Sequence, residues 1–94
     1  VSQAGSPFYE ITTIKNLFKI TKPIFPVVEV CLLNNLTYPG GLWAFTFATK
    51  GLRPLKDFKP ANVRRAKLRL RWYNAEIHAA CFALPNFLKA AIGR

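Results

Sequence analysis

Leu36-Thr37-Tyr38-Pro39-Gly40-Gly41-Leu42-Trp43, continued by Ala44-Phe45-Thr46-Phe47-Ala48-Thr49-Lys50, places a turn directly in front of a strand. Pro39 presets a turn backbone, and the two glycines supply conformations that other residues resist. From Leu42 to Lys50 the residues alternate. Trp43, Phe45 and Phe47 fall on one face, with Thr49 continuing it, and Ala44, Thr46 and Ala48 fall on the other. That period of two reads as a strand, bulky on one side and small on the other. Upstream, Val27-Val28-Glu29-Val30-Cys31-Leu32-Leu33 is a β-branched, apolar run and reads as a second strand. The loop between them, Asn34 to Gly41, is short, so an antiparallel pair is expected. The turn also presents two flat side chains, Tyr38 and Trp43, from a rigid base, an arrangement suited to a small ligand.

Outward from this pair the chain alternates between helix and strand. Val1 to Ala4 reads as the end of a strand, broken by Gly5-Ser6-Pro7. Between Phe8 and Phe25, Ile11, Ile14, Leu17, Phe18 and Phe25 fall at helical spacing, with Lys15, Asn16, Lys19 and Lys22 opposite. Ser6 is placed to cap this helix and Pro7 to occupy its first position, while Pro23 and Pro26 end it. Pro60 opens a further helix from Ala61 carrying Val63, Ala66 and Leu70, although Leu68, Leu70 and Trp72 equally fit a strand. Asn74 is a natural cap for a short helix through Ile77, Ala80, Cys81 and Leu84, with Glu76 in its first turn. Pro85 interrupts it before a last amphipathic turn through Phe87, Leu88, Ala91 and Ile92.

Composition bounds the function. The 94 residues make one small domain, 51% hydrophobic and 19% charged. That is too apolar for a disordered tail and implies surface meant for burial against something else. Fourteen Lys and Arg against four acids give a net charge of +10, compatible with a basic solvated face or with a polyanionic partner. Cys31 and Cys81 form no CxxC pair and sit in apolar surroundings, so reduced, buried thiols are expected, as in a cytoplasmic protein. No apolar run approaches the roughly 18 residues of a membrane-spanning helix, so no membrane partner is expected. The start, Val1-Ser2-Gln3-Ala4-Gly5, lacks the basic segment of a signal peptide. It also lacks an initiator Met, so a processed or partial chain is expected.

Few residues could carry catalysis. Asp57 is the one Asp and lies in a Lys-rich loop, the three glutamates are scattered, and no paired carboxylates are evident. His78 is the one His and reads as a packed or hydrogen-bonded structural residue. Cys31, Cys81 and His78 lack metal-ligand spacing, so no metal site is expected. Pro39-Gly40-Gly41 precedes a strand, the reverse of the order in nucleotide-binding loops. The run Arg64-Arg65-Ala66-Lys67-Leu68-Arg69-Leu70-Arg71-Trp72-Tyr73 mixes cations and aromatics. It reads as a solvated face followed by core anchors, or alternatively as a face for nucleic acid.

Thr37-Tyr38-Pro39-Gly40-Gly41-Leu42-Trp43, the strand ending Phe47-Ala48-Thr49-Lys50-Gly51, and Trp72-Tyr73-Asn74-Ala75-Glu76-Ile77-His78-Ala79-Ala80-Cys81-Phe82-Ala83-Leu84-Pro85-Asn86-Phe87 resemble the C-terminal region of spermidine synthases. Gln3-Ala4-Gly5-Ser6-Pro7-Phe8 and Phe25-Pro26-Val27-Val28 fit the same register. The resemblance implies an α/β fold: the C-terminal part of a class I methyltransferase-like, Rossmann-like doubly wound sheet, about three strands with flanking helices. Residues 1–94 would form a single partial domain. Val1 to Ala4 would be the family's fifth strand and the segments near 27–33 and 42–50 its sixth and seventh, the seventh antiparallel between the other two.

The implied reaction transfers an aminopropyl group from decarboxylated S-adenosylmethionine to putrescine or a similar diamine. The resemblance makes Gln3 a polar contact of the diamine, Tyr38 a hydroxyl near its amine, and Trp43 the apolar wall along its methylenes. Gly40 stands where the family usually has Ser, a departure expected to loosen the turn. The family's cofactor loop, ribose-binding acid and paired aspartates have no counterpart in this sequence. The chain therefore carries no catalytic and no cofactor-binding residue of its own and is expected to be inactive alone. It would need an N-terminal portion of the enzyme or a second chain, and a homo-oligomer is expected. The alternative is a small basic module that binds nucleic acid or a protein without catalysis.

Overall fold

A computed structural model describes residues 1–94. The order of elements is β1 (Ser2–Gly5), α1 (Ile11–Thr21), β2 (Val27–Asn34), β3 (Leu42–Thr49), α2 (Pro60–Arg65), α3 (Ala75–Cys81) and α4 (Asn86–Ala91). The strands form one sheet in the order β1-β3-β2. β3 is antiparallel to both neighbours, so β1 and β2 run parallel, joined by α1. This is the expected arrangement, with the last strand inserted between the two before it.

The period of two in β3 decides where the core lies. Ala44 and Thr46 are buried on the small-residue face, opposite Leu32 and Val30 of β2, and Val28 and Ala4 are buried with them. Small side chains there let two helices approach closely. α1 inserts Ile14 and Phe18, and α4 inserts Leu88 and Ile92, with Leu84 just ahead of it. The aromatic face is half-buried. α3 covers it in part, where Phe82 meets Phe47 edge to face at 5.5 Å. Helices therefore lie on both faces of the sheet, as a doubly wound segment requires.

The boundaries of α1 and α2 differ from the sequence expectation. α1 starts at Ile11, not near Phe8. Ser6 does accept the N–H groups of Phe8 and Tyr9, each at 3.3 Å, and its own N–H donates to Glu10 Oε2 at 3.0 Å. These bonds satisfy a separate turn, and the backbone at Glu10 (φ −129°) departs from helix before α1 begins. α2 spans only Pro60–Arg65, because Lys67 adopts φ +49° and the chain leaves the helix there. Neither the longer helix nor the strand considered for residues 61–72 forms, and Leu68, Leu70 and Trp72 are exposed. Asn74 caps α3 as expected, its side chain accepting from Ile77 N–H at 2.7 Å. No helix is long and apolar enough to cross a membrane.

Candidate functional site

The connection from β2 to β3 is built on hydrogen bonds that its residue types dictate. Asn35 Oδ1 accepts from Thr37 N at 3.2 Å and from Thr37 Oγ1 at 2.7 Å, an Asx turn. Gly41 N–H then donates to Tyr38 O at 3.1 Å, closing a β-turn with Pro39 second and Gly40 third. Gly40 has φ +81°, the conformation that the third position of a type II turn demands. A side chain at this position would also press on the Tyr9 ring and Ser6 Oγ, with Cβ at 3.3 and 3.4 Å. The expectation that Gly40 loosens the turn is therefore corrected: glycine is the residue that closes it without strain.

This turn holds Tyr38 against the start of β3. The Tyr38 and Trp43 rings meet edge to face, centroids 4.5 Å apart. From the other side Gln3 Oε1 accepts the Trp43 indole N–H at 3.0 Å. Gln3 sits opposite Phe45, and a β-bulge follows it before Gly5 pairs with Ala44. Bulges of this kind re-aim side chains beside functional sites. The three residues singled out from the sequence thus form one contiguous cluster. It lies at the carboxyl ends of β1 and β2, because Trp43 begins the strand antiparallel to both. In open α/β sheets that edge is where ligands bind. A cavity of about 570 Å³ opens instead around Phe47, Lys50, Arg53, Phe58 and His78, and none of the three lines it. Position on the sheet, not cavity size, makes the Gln3–Tyr38–Trp43 cluster the candidate site.

No protein-family model matches the chain. A polyamine aminopropyltransferase of Thermotoga neapolitana is 45% identical over 92 residues, 98% of this chain and 31% of that protein. One from Caldicellulosiruptor bescii is 43% identical over 93 residues, 98% of this chain and 32% of that protein. The crystal structure of spermidine synthase from Thermotoga maritima superposes with a TM-score of 0.91 at 44% identity, over 97% of this chain and 32% of that one. A spermidine synthase in complex with the transition-state analogue AdoDATO gives the same values. In sequence and in fold the chain is similar to about a third of these spermidine synthases. The chain spans about a third of the length of the curated relatives that it matches.

Outside this cluster His78, Asp57 and Glu29 are engaged in structural contacts. His78 stacks on Phe58 with centroids 3.8 Å apart. A carbonyl only accepts, so Nε2–H of His78 donates to Pro54 O at 2.7 Å, and Nδ1 accepts the Tyr73 hydroxyl at 2.8 Å. The residue fastens residues 54–58 and Tyr73 to α3, in keeping with a hydrogen-bonded His. Asp57 accepts Arg53 N–H at 2.6 Å. Glu29 pairs with Arg94 at 2.5 Å.

The fold also juxtaposes residues whose pairing has no signal in the sequence. Tyr9 flanks Gly40, and no sequence signal assigns it a role beyond its place in the Ser6–Glu10 turn. Cys31 and Cys81 are free and half-buried, and they face one another across the β2–α3 contact. Burial, reinforced by the Cys81 thiol beside it, pushes Cys31 up from 9.0 to about 11. Cys81 is raised as well, again chiefly by burial. Thiols so held are protonated at neutral pH and poor nucleophiles.

Proposed function

We propose that this chain supplies the diamine-side wall of an aminopropyltransferase that moves an aminopropyl group from decarboxylated S-adenosylmethionine to putrescine or a similar diamine. The observation that carries the reading is the Gln3–Tyr38–Trp43 cluster at the carboxyl edge of the sheet. A four-carbon diamine needs an apolar sleeve for its methylenes and polar acceptors at its ends. The indole and phenol rings provide the first, and their faces also favour an ammonium. The Tyr38 hydroxyl provides the second.

The reaction is nucleophilic displacement: the neutral amine attacks the carbon next to the sulfonium, and the thioether leaves. Deprotonating the amine needs a base held at the site; in this chain Glu10, Glu29 and Asp57 are already engaged with Ser6 N–H, Arg94 and Arg53 N–H, and Glu76, in the first turn of α3, makes none of the contacts of the Gln3–Tyr38–Trp43 cluster. The base and the nucleoside site therefore belong to an N-terminal portion of the enzyme or to a second chain, in a cytoplasmic homo-oligomer. The unpaired outer edge of β1 gives such a portion a strand to pair with. Supplying the N-terminal part of a spermidine synthase is expected to produce aminopropyl transfer, measured as spermidine formed. The chain alone is expected to produce none, and turnover by it alone would contradict the proposal.

A second reading rests on the exposed run Arg64–Trp72, whose cations and indole face solvent. RNA or DNA binding that weakens steeply with salt would favour it.

A further inference from the structure

The hydrogen bond between Gln3 and Trp43 gives Gln3 a different task from direct contact with the amine. The indole N–H is a donor only, so its partner must be the amide oxygen of Gln3, and the orientation of that amide is fixed. One lone pair of Oε1 is spent on the indole, and the NH2 end can only donate, which an ammonium cannot use. The bond runs between diagonal neighbours on one face, since Gln3 is opposite Phe45 and Trp43 lies two residues before it. On its other side the indole is braced by Tyr38, itself held by the type II turn. The same ring is thus held by two different elements.

We infer that Gln3 is a positioning residue that locks the Trp43 indole, and that this lock sets the length of amine the wall accepts; the second half rests on the diamine reading above. A fixed indole offers a methylene chain a sleeve of set length. A freed one turns aside, so a longer chain fits with less penalty and the preferred chain loses a pre-organised contact.

The lock is read on this chain by hydrogen exchange of the Trp43 indole N–H. Protection is expected in the parent chain and in Gln3→Glu, which keeps an acceptor oxygen, and loss of protection in Gln3→Leu. Gln3 is exposed, so neither variant is expected to unfold the chain. In the complete enzyme carrying this segment, Gln3→Leu is expected to raise the KM for putrescine about 3- to 10-fold, the worth of one exposed hydrogen bond, with kcat nearly unchanged. The KM for the five-carbon diamine should rise less. In a Trp43→Phe background, Gln3→Leu is expected to add nothing. Unchanged indole exchange in Gln3→Leu would overturn the lock. A Gln3→Leu effect that persists in full without Trp43 would overturn it too, by showing direct contact with the amine. Absence of transfer by the unaltered enzyme would instead sink the diamine reading and the length claim, while the exchange result judges the lock separately.

Discussion

Trp43→Ala in the complete enzyme is expected to raise the KM for putrescine about 10- to 100-fold, the cost of losing a large apolar contact worth roughly 1.5–3 kcal/mol. Binding of the nucleoside substrate is expected to be unchanged, because no residue of this cluster is assigned to it. Two losses combine in the variant. The indole wall along the methylenes disappears, and Tyr38 loses the ring that it packs against. Tyr38→Phe should do less, since it keeps the ring pair and removes only a hydroxyl. Isothermal titration of each ligand separates these effects. Equal loss of diamine and nucleoside affinity in Trp43→Ala would mean that the indole shapes the protein, not the amine site.

Leu88→Ala is expected to destabilise the fold by about 3 kcal/mol. Leu88 is fully buried where α4 meets the small-residue face of the sheet. Only 13 of 94 residues are buried, so the core has little redundancy to absorb a cavity. Domains of this size are marginally stable, by about 5–15 kcal/mol in total. The neighbouring Phe87→Ala is the matched control: Phe87 is 53% exposed on the same helix and should change stability by less than about 0.5 kcal/mol. Urea denaturation of the three proteins measures the difference. Similar costs at both positions would contradict this placement of α4 on the sheet.

The sheet was legible in the sequence because its signals are local and agree. Trp43-Ala44-Phe45-Thr46-Phe47-Ala48 alternates without a break, and Val27–Leu33 offers no rival to a strand. The strand order came from the family resemblance, since nothing in periodicity places the last strand between the other two. Helix boundaries were less legible for identifiable reasons. The Ser6 cap exists, but Glu10 reaches back to it and ends that turn before Ile11. In the Arg64–Trp72 run both periods fit, and the left-handed Lys67 that excludes them has no sequence signature. At the site, residue types identified Tyr38 and Trp43, whereas the Gln3–Trp43 bond links positions 40 residues apart and depends on register. The facing of Cys31 and Cys81 was invisible for the same reason. Gly40 was misjudged from a family habit, and its φ decided the matter.

The central claim is that Tyr38 and Trp43 face the acceptor amine. It is tested most directly by following the Trp43 indole N–H resonance in the complete enzyme as putrescine and then the nucleoside product are titrated separately. The account predicts a saturable shift with putrescine and little change with the nucleoside. A shift with the nucleoside alone, or none with the diamine at saturating concentration, would contradict it.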